Sequence, residues 1–334
     1  MMLARKLWPY QSGRITAGVR GQAPQNSKLA EYRGMSPQDF TPPILNFAVP
    51  DPCRLMVVLA FIANLNVASL SLAQQQADDA AGGQRWAVIL VGLPGDESHA
   101  DLFRETADTW QTWLTESLEI PREQVLRFPR RTQENEPAAP ALTADAIRST
   151  LAELNQKLKP NDSLWVFTLG HGNYDGKQAW FHLAGKDPSA EDFGRWFSEV
   201  RCREQVLWLT QSNAGWFVKP LSRPGRIVIA ATAADDESNE TEFPHALATV
   251  VQSPAKMLDA DQDEKVSVAE LFTAVVREVE RRFQKDKRLP TEHAQLDDNG
   301  DGKGTEDLNP TTKPPESTKL DGGLAKRTTV SMRK

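Results

Sequence analysis

The sequence predicts an α/β fold in which a mostly parallel sheet is flanked by helices. Two observations lead to it: short, nearly continuous apolar runs recur along the chain, and the segments between them carry apolar residues at helical spacing. Runs of this length are typical of strands buried on both faces of a parallel sheet. Strands that alternate with helices imply right-handed crossovers. The predicted strands are residues 86–93, 125–128, 164–169, 206–211 and 227–232.

The helices between these strands are predicted from their apolar faces. One side of a helix over 99–118 is lined by Phe103, Ala107, Trp110 and Leu114. Thr143 can cap the next helix, because its side-chain oxygen can accept a hydrogen bond from a free N–H group of the first turn. The other predicted helices span 143–158, 190–200 and 267–284.

Composition and charge limit the kinds of function that the chain can have. Of its 334 residues, 40% are hydrophobic and 25% are charged, which is enough for a sizeable core. The net charge of −6 gives no basic field that would attract nucleic acid, so no nucleic-acid partner is expected. Cys53 and Cys202 are the only cysteines, which excludes a disulfide scaffold and a cysteine-built zinc site.

The first part of the chain has the composition of a leader. Residues 1–54 are rich in Pro, Gln, Ser and Gly, and are expected to be a disordered leader or a misassigned gene start. In residues 55–73, an apolar run follows Arg54, and Ser71 and Ala73 suit a cleavage site, so this segment resembles a signal peptide. It is also about long enough to be a membrane anchor. We therefore expect export to the periplasm or the extracellular space, with membrane anchoring through 55–73 as the alternative.

Two polar side chains follow neighbouring strands of the predicted sheet. His171 stands between two glycines after the strand 164–169, and Ser212 follows the strand 206–211. Ligands of open α/β sheets bind at this edge, where adjacent strand ends would bring the two side chains close together. A hydroxyl beside an imidazole is a minimal nucleophile and base, and the N–H groups of Gly172 and Ser212 could face an oxyanion. Alternatively, His171 is an ordinary loop residue and Ser212 only caps a helix.

These residues carry a resemblance to a known family. The chain from Trp86 to about Val250 resembles the caspase and hemoglobinase fold, in particular legumain-type cysteine peptidases and their bacterial relatives. In that family one strand ends in His-Gly and the next in Asp-x-Cys-x-Ser-Gly. Here the first reads Thr-Leu-Gly-His-Gly and the second Thr-Gln-Ser-Asn-Ala-Gly, over 210–215. The resemblance implies a caspase-like domain over 84–253, with His171 and Ser212 at the positions of the catalytic pair.

The departures from the family pattern lead to two hypotheses. Ser212 replaces the nucleophilic cysteine and Thr210 replaces the aspartate. A serine hydroxyl is far less acidic than a thiol, so it needs a base in direct contact and usually a group that orients that base. The domain is therefore expected to be a degenerate peptidase that binds a peptide or protein. The alternative is an active hydrolase with Ser212 as nucleophile, His171 as base, and Asp175 as a possible orienting group.

The loop after the last predicted strand of the caspase-like domain is acidic. It is expected either to rim the cleft, where it could suit a basic side chain of a peptide, or to be a solvated surface loop. Its candidate rim residues are Asp235, Asp236, Glu237 and Asn239.

An acidic stretch precedes the helix predicted over 267–284. It resembles a half EF-hand or dockerin-like loop that supplies oxygen ligands for Ca²⁺, with Glu264 where such loops have glycine at position 6. A capping box between Ser267 and Glu270 is the alternative that needs no metal, but it does not account for the three aspartates. The predicted ligands are Asp259, Asp261, Asp263, Lys265 through its carbonyl, Ser267 and Glu270.

A second, partial loop of this kind spans 297–308. It has Gly302 at position 6 but Leu308 at position 12, where the bidentate glutamate should be, so we expect weak metal binding or a simple turn. Residues 254–308 are thus predicted to form a helical extension that carries the calcium loops. Residues 309–334 are expected to be mostly disordered, with a short edge strand near Thr328 left open.

Overall fold

The computed structural model describes residues 83–130, 139–308 and 320–330, which all belong to one compact unit of the chain. The predictions for the leader 1–54 and the segment 55–73 lie outside the described residues. Within the part of the chain that is described, no helix combines the length and the apolar character that a membrane crossing requires.

The described residues form ten strands and seven α-helices. The strands are β1 (Arg85–Val91), β2 (Val125–Phe128), β3 (Ser163–Leu169), β4 (Gly172–Tyr174), β5 (Ala179–Phe181), β6 (Glu204–Leu209), β7 (Arg226–Ala230), β8 (Val266–Ser267), β9 (Gln295–Asp297) and β10 (Thr329–Val330). The helices are α1 (Glu97–Thr112), α2 (Ala144–Lys157), α3 (Ala190–Glu199), α4 (Gly215–Leu221), α5 (Phe243–Val250), α6 (Ala255–Leu258) and α7 (Val268–Lys285).

Six strands form the central sheet in the order β2-β1-β3-β6-β7-β9. The first five are parallel, and β9 adds an antiparallel edge beside β7. Phe167 lies opposite Ile89 on one side and Trp208 on the other. Every residue of β3 is buried, as expected for a strand covered on both faces. The predicted α/β class with a mostly parallel sheet is therefore confirmed.

Helices cover both faces of this sheet. Helices α1, α5 and α7 cover one face, where Trp110 and Phe272 share a core with Phe167 and Trp208 of the sheet. Helices α2, α3 and α4 cover the other face, which is filled by residues such as Phe193. Burying a large apolar side chain contributes about 1.5–3 kcal/mol, so each helix is held mainly by its apolar face.

Residues 254–308 are part of this architecture. The apolar face of α7 completes one helical layer, and β9 completes the sheet. The stretch predicted as a helical extension is thus integrated into the domain, because an amphipathic helix must bury its apolar stripe against another layer.

The tail departs from the expected disorder over residues 320–330. Strand β10 pairs antiparallel with β8, and the carboxylate of Asp298 accepts the N–H groups of Gly322 and Ala325 at 2.9 and 2.7 Å. Arg85 donates to the carbonyl of Thr329 at 2.8 Å. Composition alone suggested disorder, but these long-range bonds hold the segment.

Candidate functional site

The ends of β3 and β6 lie side by side because the two strands are parallel neighbours. His171 and Ser212 follow these ends, at the edge where open α/β sheets bind ligands. The backbone N–H of Gly172 lies 3.4 Å from Ser212 Oγ, so the serine oxygen accepts from the residue after the histidine. The N–H group considered for an oxyanion is directed at the serine side chain in this arrangement.

The ring of His171 is held from the side of α1 and the loop that follows β1. Its Nε2 lies 3.1 Å from the carbonyl oxygen of Pro94, and because a carbonyl only accepts, Nε2 carries the proton. The ring packs against His99 and Phe103, with centroid distances of 5.5 and 5.4 Å. Among the described residues, the imidazole makes no hydrogen bond to Ser212.

Asp175 does not orient this imidazole. Its carboxylate accepts the N–H groups of Lys177 and Gln178, each at 2.8 Å, and so closes the turn between β4 and β5. These bonds, Gln178 first, hold the pKa of Asp175 below its usual value. The backbone carbonyl of Pro94 orients the imidazole instead. A backbone group is not visible as a residue type in the sequence.

Ser212 is 4% exposed and lies above a buried network of neutral polar groups. Thr210 donates its hydroxyl to the carbonyl of Thr168 at 2.6 Å, and Thr241 donates to the carbonyl of Thr210 at 2.6 Å. The position where the resembled family has an aspartate is thus a buried, fully bonded threonine. Ser212 does not cap the next helix either, because Ala214 stands at the N-cap of α4 and makes no side-chain bond.

The backbone after Ser212 makes a tight turn. Asn213 has a φ of 58° and donates its amide to the carbonyl of Gly172 at 3.3 Å, which ties the two strand ends together again. A Cβ on Gly215 would lie 2.2 Å from the carbonyl carbon of Ala233, so only glycine fits where α4 begins. This close approach brings the loop after β7 against the candidate site.

The predicted rim residues separate into two groups. Asp235, Asp236 and Asn239 are exposed on the loop between β7 and α5. Glu237 is buried instead: its carboxylate accepts the N–H groups of Ala233 and His293 at 2.7 and 2.9 Å, and it also pairs with the ring of His293. The assignment of Glu237 to the rim is wrong, because a partner that lies 56 residues later in the chain draws its side chain inward.

Three further residues reach the site that the sequence analysis did not select. Asp96 caps α1, accepting the N–H of His99 at 2.9 Å, and its second oxygen lies 2.7 Å from His99 Nδ1. Glu240 lies 3.1 Å from His99 Nε2. These hydrogen bonds, Asp96 first, raise the pKa of His99. The Asp-x-x-His spacing at a helix start was a readable signal for the first contact, but nothing local announces Glu240.

The first acidic loop brings its three aspartates together. Single oxygens of Asp259, Asp261 and Asp263 lie within 4.8 Å of one another. Glu270 reaches back to accept the N–H of Ala260 at 2.8 Å while also forming the capping box with Ser267. The capping box and the loop closure are therefore made by the same side chain. Carboxylate oxygens are hard ligands of the kind that Ca²⁺ takes, so the three aspartates fit part of its usual set of about six to eight oxygens.

The second acidic loop is closed by a residue from outside it. Asp321 accepts the N–H of Asp298, at position 2, at 3.1 Å and the hydroxyl of Thr305, at position 9, at 2.5 Å. In the first loop, Glu270 accepts from the same positions, namely the N–H of Ala260 and the hydroxyl of Ser267, both at 2.8 Å. Asp321 thus makes the hydrogen bonds that Leu308 at position 12 cannot make.

Comparison with known proteins finds a weak structural similarity. No family profile matches the chain, and no curated protein matches it. The crystal structure of drICE, a caspase, is similar at 10% sequence identity and a TM-score of 0.37, over 60% of this chain and 85% of that chain. A likeness of this degree carries no argument about the chemistry, and the fold described above stands on the strands and helices themselves.

Proposed function

We propose that this chain is an exported caspase- or legumain-like domain that has become a degenerate peptidase and works as a calcium-binding module for a peptide or protein ligand. The observation that carries the proposal is the hydrogen bonding of Ser212. Its oxygen accepts from Gly172 at 3.4 Å, and the neighbouring imidazole bonds to Pro94 and not to the serine.

This hydrogen bonding matters because a serine nucleophile needs a base in direct contact. A hydroxyl becomes a nucleophile when a base takes its proton over a hydrogen bond of about 2.6–3.2 Å. Ser212 lacks that contact among the described residues, and the buried Thr210 supplies no charge beside it. His171 and Ser212 still lie at the sheet edge where open α/β folds bind ligands, so a peptide segment could bind there without being cut.

An active hydrolase is the second candidate, and one observation favours it. The carbonyl of Pro94 holds the proton on Nε2 of His171 and so leaves Nδ1 as the acceptor nitrogen. A ring fixed in this tautomer could act as a base if a ligand drew Ser212 toward it. Ser212 would then be the nucleophile and His171 the base.

A fluorophosphonate probe distinguishes the two candidates. We expect no labelling of Ser212 and no turnover of a peptide library, with or without Ca²⁺, while the same library shows saturable binding. Labelling that is lost in Ser212→Ala and His171→Ala, but kept in the matched surface variant Ser198→Ala, would establish the hydrolase instead. Absence of both binding and turnover would overturn both candidates.

The calcium part of the proposal rests on the first acidic loop. Three carboxylates converge there, and Glu270 closes the loop from the start of α7. Ca²⁺ bound to the folded state alone would raise the melting temperature, by an amount set by its concentration relative to its dissociation constant. An identical melting temperature in Ca²⁺ and in chelator, at equal ionic strength, would remove calcium from the proposal.

Export is proposed from residues 55–73, which lie outside the described residues. Expression of the full chain followed by N-terminal sequencing of the recovered protein tests it. We expect a new N-terminus directly after Ala73. Intact chain in the membrane fraction would favour the anchor, and intact chain in the cytosol would contradict both.

A further inference from the structure

Two carboxylates from different strand ends bind one imidazole next to the candidate site. Asp96 belongs to the loop after β1, and Glu240 belongs to the loop after β7. They lie 2.7 Å from Nδ1 and 3.1 Å from Nε2 of His99. Carboxylates that are ionised only accept hydrogen bonds, so both ring nitrogens of His99 must donate, and the ring is an imidazolium in this arrangement.

The same ring lies against His171. The two imidazoles meet edge to face, with centroids 5.5 Å apart and planes at 73°. Phe103 lies beside both, 5.4 Å from the ring of His171 and 6.2 Å from that of His99. With the carbonyl of Pro94 on Nε2, the ring of His171 is thus confined by a hydrogen bond and by two aromatic neighbours.

We propose that His99 is a positioning residue: while protonated, it joins the loops after β1 and β7, and these two bonds hold its ring against His171, which it covers. When His99 loses its proton, one nitrogen no longer donates, and either Asp96 or Glu240 is released. The ring of His99, no longer held from both sides, can then turn away from His171. This inference rests on the proposed site but not on whether that site binds or cuts.

The charges around His99 favour its protonated form. The side chain of His99 is 28% exposed, so protons reach it from solvent, and those of Asp96 and Glu240 are 58% and 47% exposed. His171 is the titratable group that faces it from the end of β3. Other charged groups line a cavity of about 490 Å³ beside His99, namely Glu105 of α1, Glu242 and His245 at α5, Arg282 of α7 and Arg288.

Accessibility of His171 to diethyl pyrocarbonate tests the proposal. The reagent carbethoxylates neutral, accessible imidazoles, and peptide mass spectrometry gives the rate at each histidine. N-acetylhistidine in the same tube corrects for reagent decay and for the intrinsic effect of pH. The hydrogen bonds to Asp96 and Glu240 raise the pKa of His99, so we expect the corrected rate at His171 to rise as the pH is raised above the ordinary histidine value of about 6.5 and His99 loses its proton.

Two variants and a control make the result decisive. Glu240→Gln keeps the shape of the side chain but weakens the bond across the loops, and it should raise the rate at His171 about two- to fivefold at pH 6, the range of a single exposed ion pair. His99→Gln should raise it further and remove the excess pH dependence. Glu199→Gln, at the far end of α3, should match the wild type.

Equal corrected rates at His171 in the wild type, Glu240→Gln and His99→Gln would overturn the inference. If His99→Gln loses its folded circular dichroism, the comparison of Glu240→Gln with Glu199→Gln still decides, because Glu240 is a half-exposed loop residue. The readout needs neither peptide nor Ca²⁺, so a failure here is distinct from a failure of the proposed function.

Discussion

The two acidic loops, 259–270 and 297–308, share their first half and differ in how they close. In each, the carboxylate at position 1 accepts the N–H of position 6: Asp259 from Glu264 and Asp297 from Gly302, both at 3.0 Å. Side chains at positions 3 and 5 accept from the residue two places later. The closing carboxylate is Glu270 in the first loop and the remote Asp321 in the second.

This difference changes what the closing residue does. Glu270 lies on the helix that the first loop leads into, so that loop is complete within twelve residues. Asp321 lies in the docked segment 320–330, so closing the second loop also attaches that segment to the domain. The same loop geometry serves as a candidate ion site in one place and as an anchor in the other.

The largest effect on the free energy of unfolding is expected when the docked segment 320–330 loses its hydrogen bonds to the domain. In Asp298→Ala, the buried N–H groups of Gly322 and Ala325 lose their acceptor, and at about 1–3 kcal/mol each the domain should lose roughly 2–6 kcal/mol. Urea denaturation without Ca²⁺ measures this. Asp261→Ala, an exposed change in the first loop, should cost less than about 0.5 kcal/mol. Equal losses would mean that the loops do not differ as described.

The calcium response should separate the closing carboxylates. If the first loop binds Ca²⁺, saturation at a hundred times the dissociation constant adds about 2.7 kcal/mol of stability. Glu270→Gln removes a charged ligand oxygen and should abolish that gain, whereas Asp321→Asn should keep it. Thermal melts with Ca²⁺ and with chelator give the comparison. Retention of the full gain in Glu270→Gln would assign the ion elsewhere.

Position 6 offers a matched pair of smaller effects. Both loops have a left-handed backbone there, with φ of 67° at Glu264 and 78° at Gly302. Such a conformation costs a non-glycine residue about 1–2 kcal/mol, so Gly302→Ala should destabilise by about that amount. Glu264→Gly should gain about 0.5 kcal/mol, since glycine also makes the unfolded chain more flexible. Urea denaturation midpoints, compared at equal dependence on urea concentration, measure both changes. A stabilised Gly302→Ala or a destabilised Glu264→Gly would contradict the prediction.

The smallest expected effect is on how stability depends on pH in the absence of Ca²⁺. Asp321 and Glu270 should contribute opposite dependences. Burial, helped by the charges of Asp297 and Asp298, raises the pKa of Asp321 to about 6. The folded state therefore holds this proton more tightly than the unfolded chain, and stability falls as pH rises from about 4 through 6. Asp321→Asn should remove this slope, so the variant gains on the wild type toward pH 7.

Glu270 should behave in the opposite way. Burial alone would raise its pKa, but hydrogen bonds from Ser267, Ala260 and Asp261 together hold it below the usual 4.5. Its stabilising contribution is present above pH 4.5 and is lost as pH falls through the folded value. Glu270→Gln should therefore cost more at pH 6 than at pH 3. Denaturation series at both pH values test the pair, and parallel slopes would contradict it.

Much of the fold could be predicted from the sequence, because a buried parallel strand leaves a continuous apolar run such as 164–169. Strands β9 and β10 have three and two residues and pair with distant partners, so no local periodicity reveals them. They were therefore missed or left open, and the docked segment 320–330 resembled a disordered tail.

The residues of the candidate site also fall into those that the sequence predicts and those that it does not. His171 and Ser212 could be selected because each directly follows a predicted strand. The contact of Glu240 with His99 joins residues 141 positions apart, and the inward turn of Glu237 depends on His293, so neither could be inferred from spacing. A backbone carbonyl such as that of Pro94 has no residue-type signature at all.

The bond from Arg85 to the carbonyl of Thr329 holds the docked segment 320–330 at one end of the parallel sheet. Arg85 opens β1, at the end of the parallel strands that lies away from His171. A fluorescent label or a surface linker attached at the exposed Lys159, which shortly precedes β3 at this same end, would therefore lie far from the carboxyl ends of the strands. Single-molecule and surface-binding measurements made through such an attachment would leave the candidate site unobstructed.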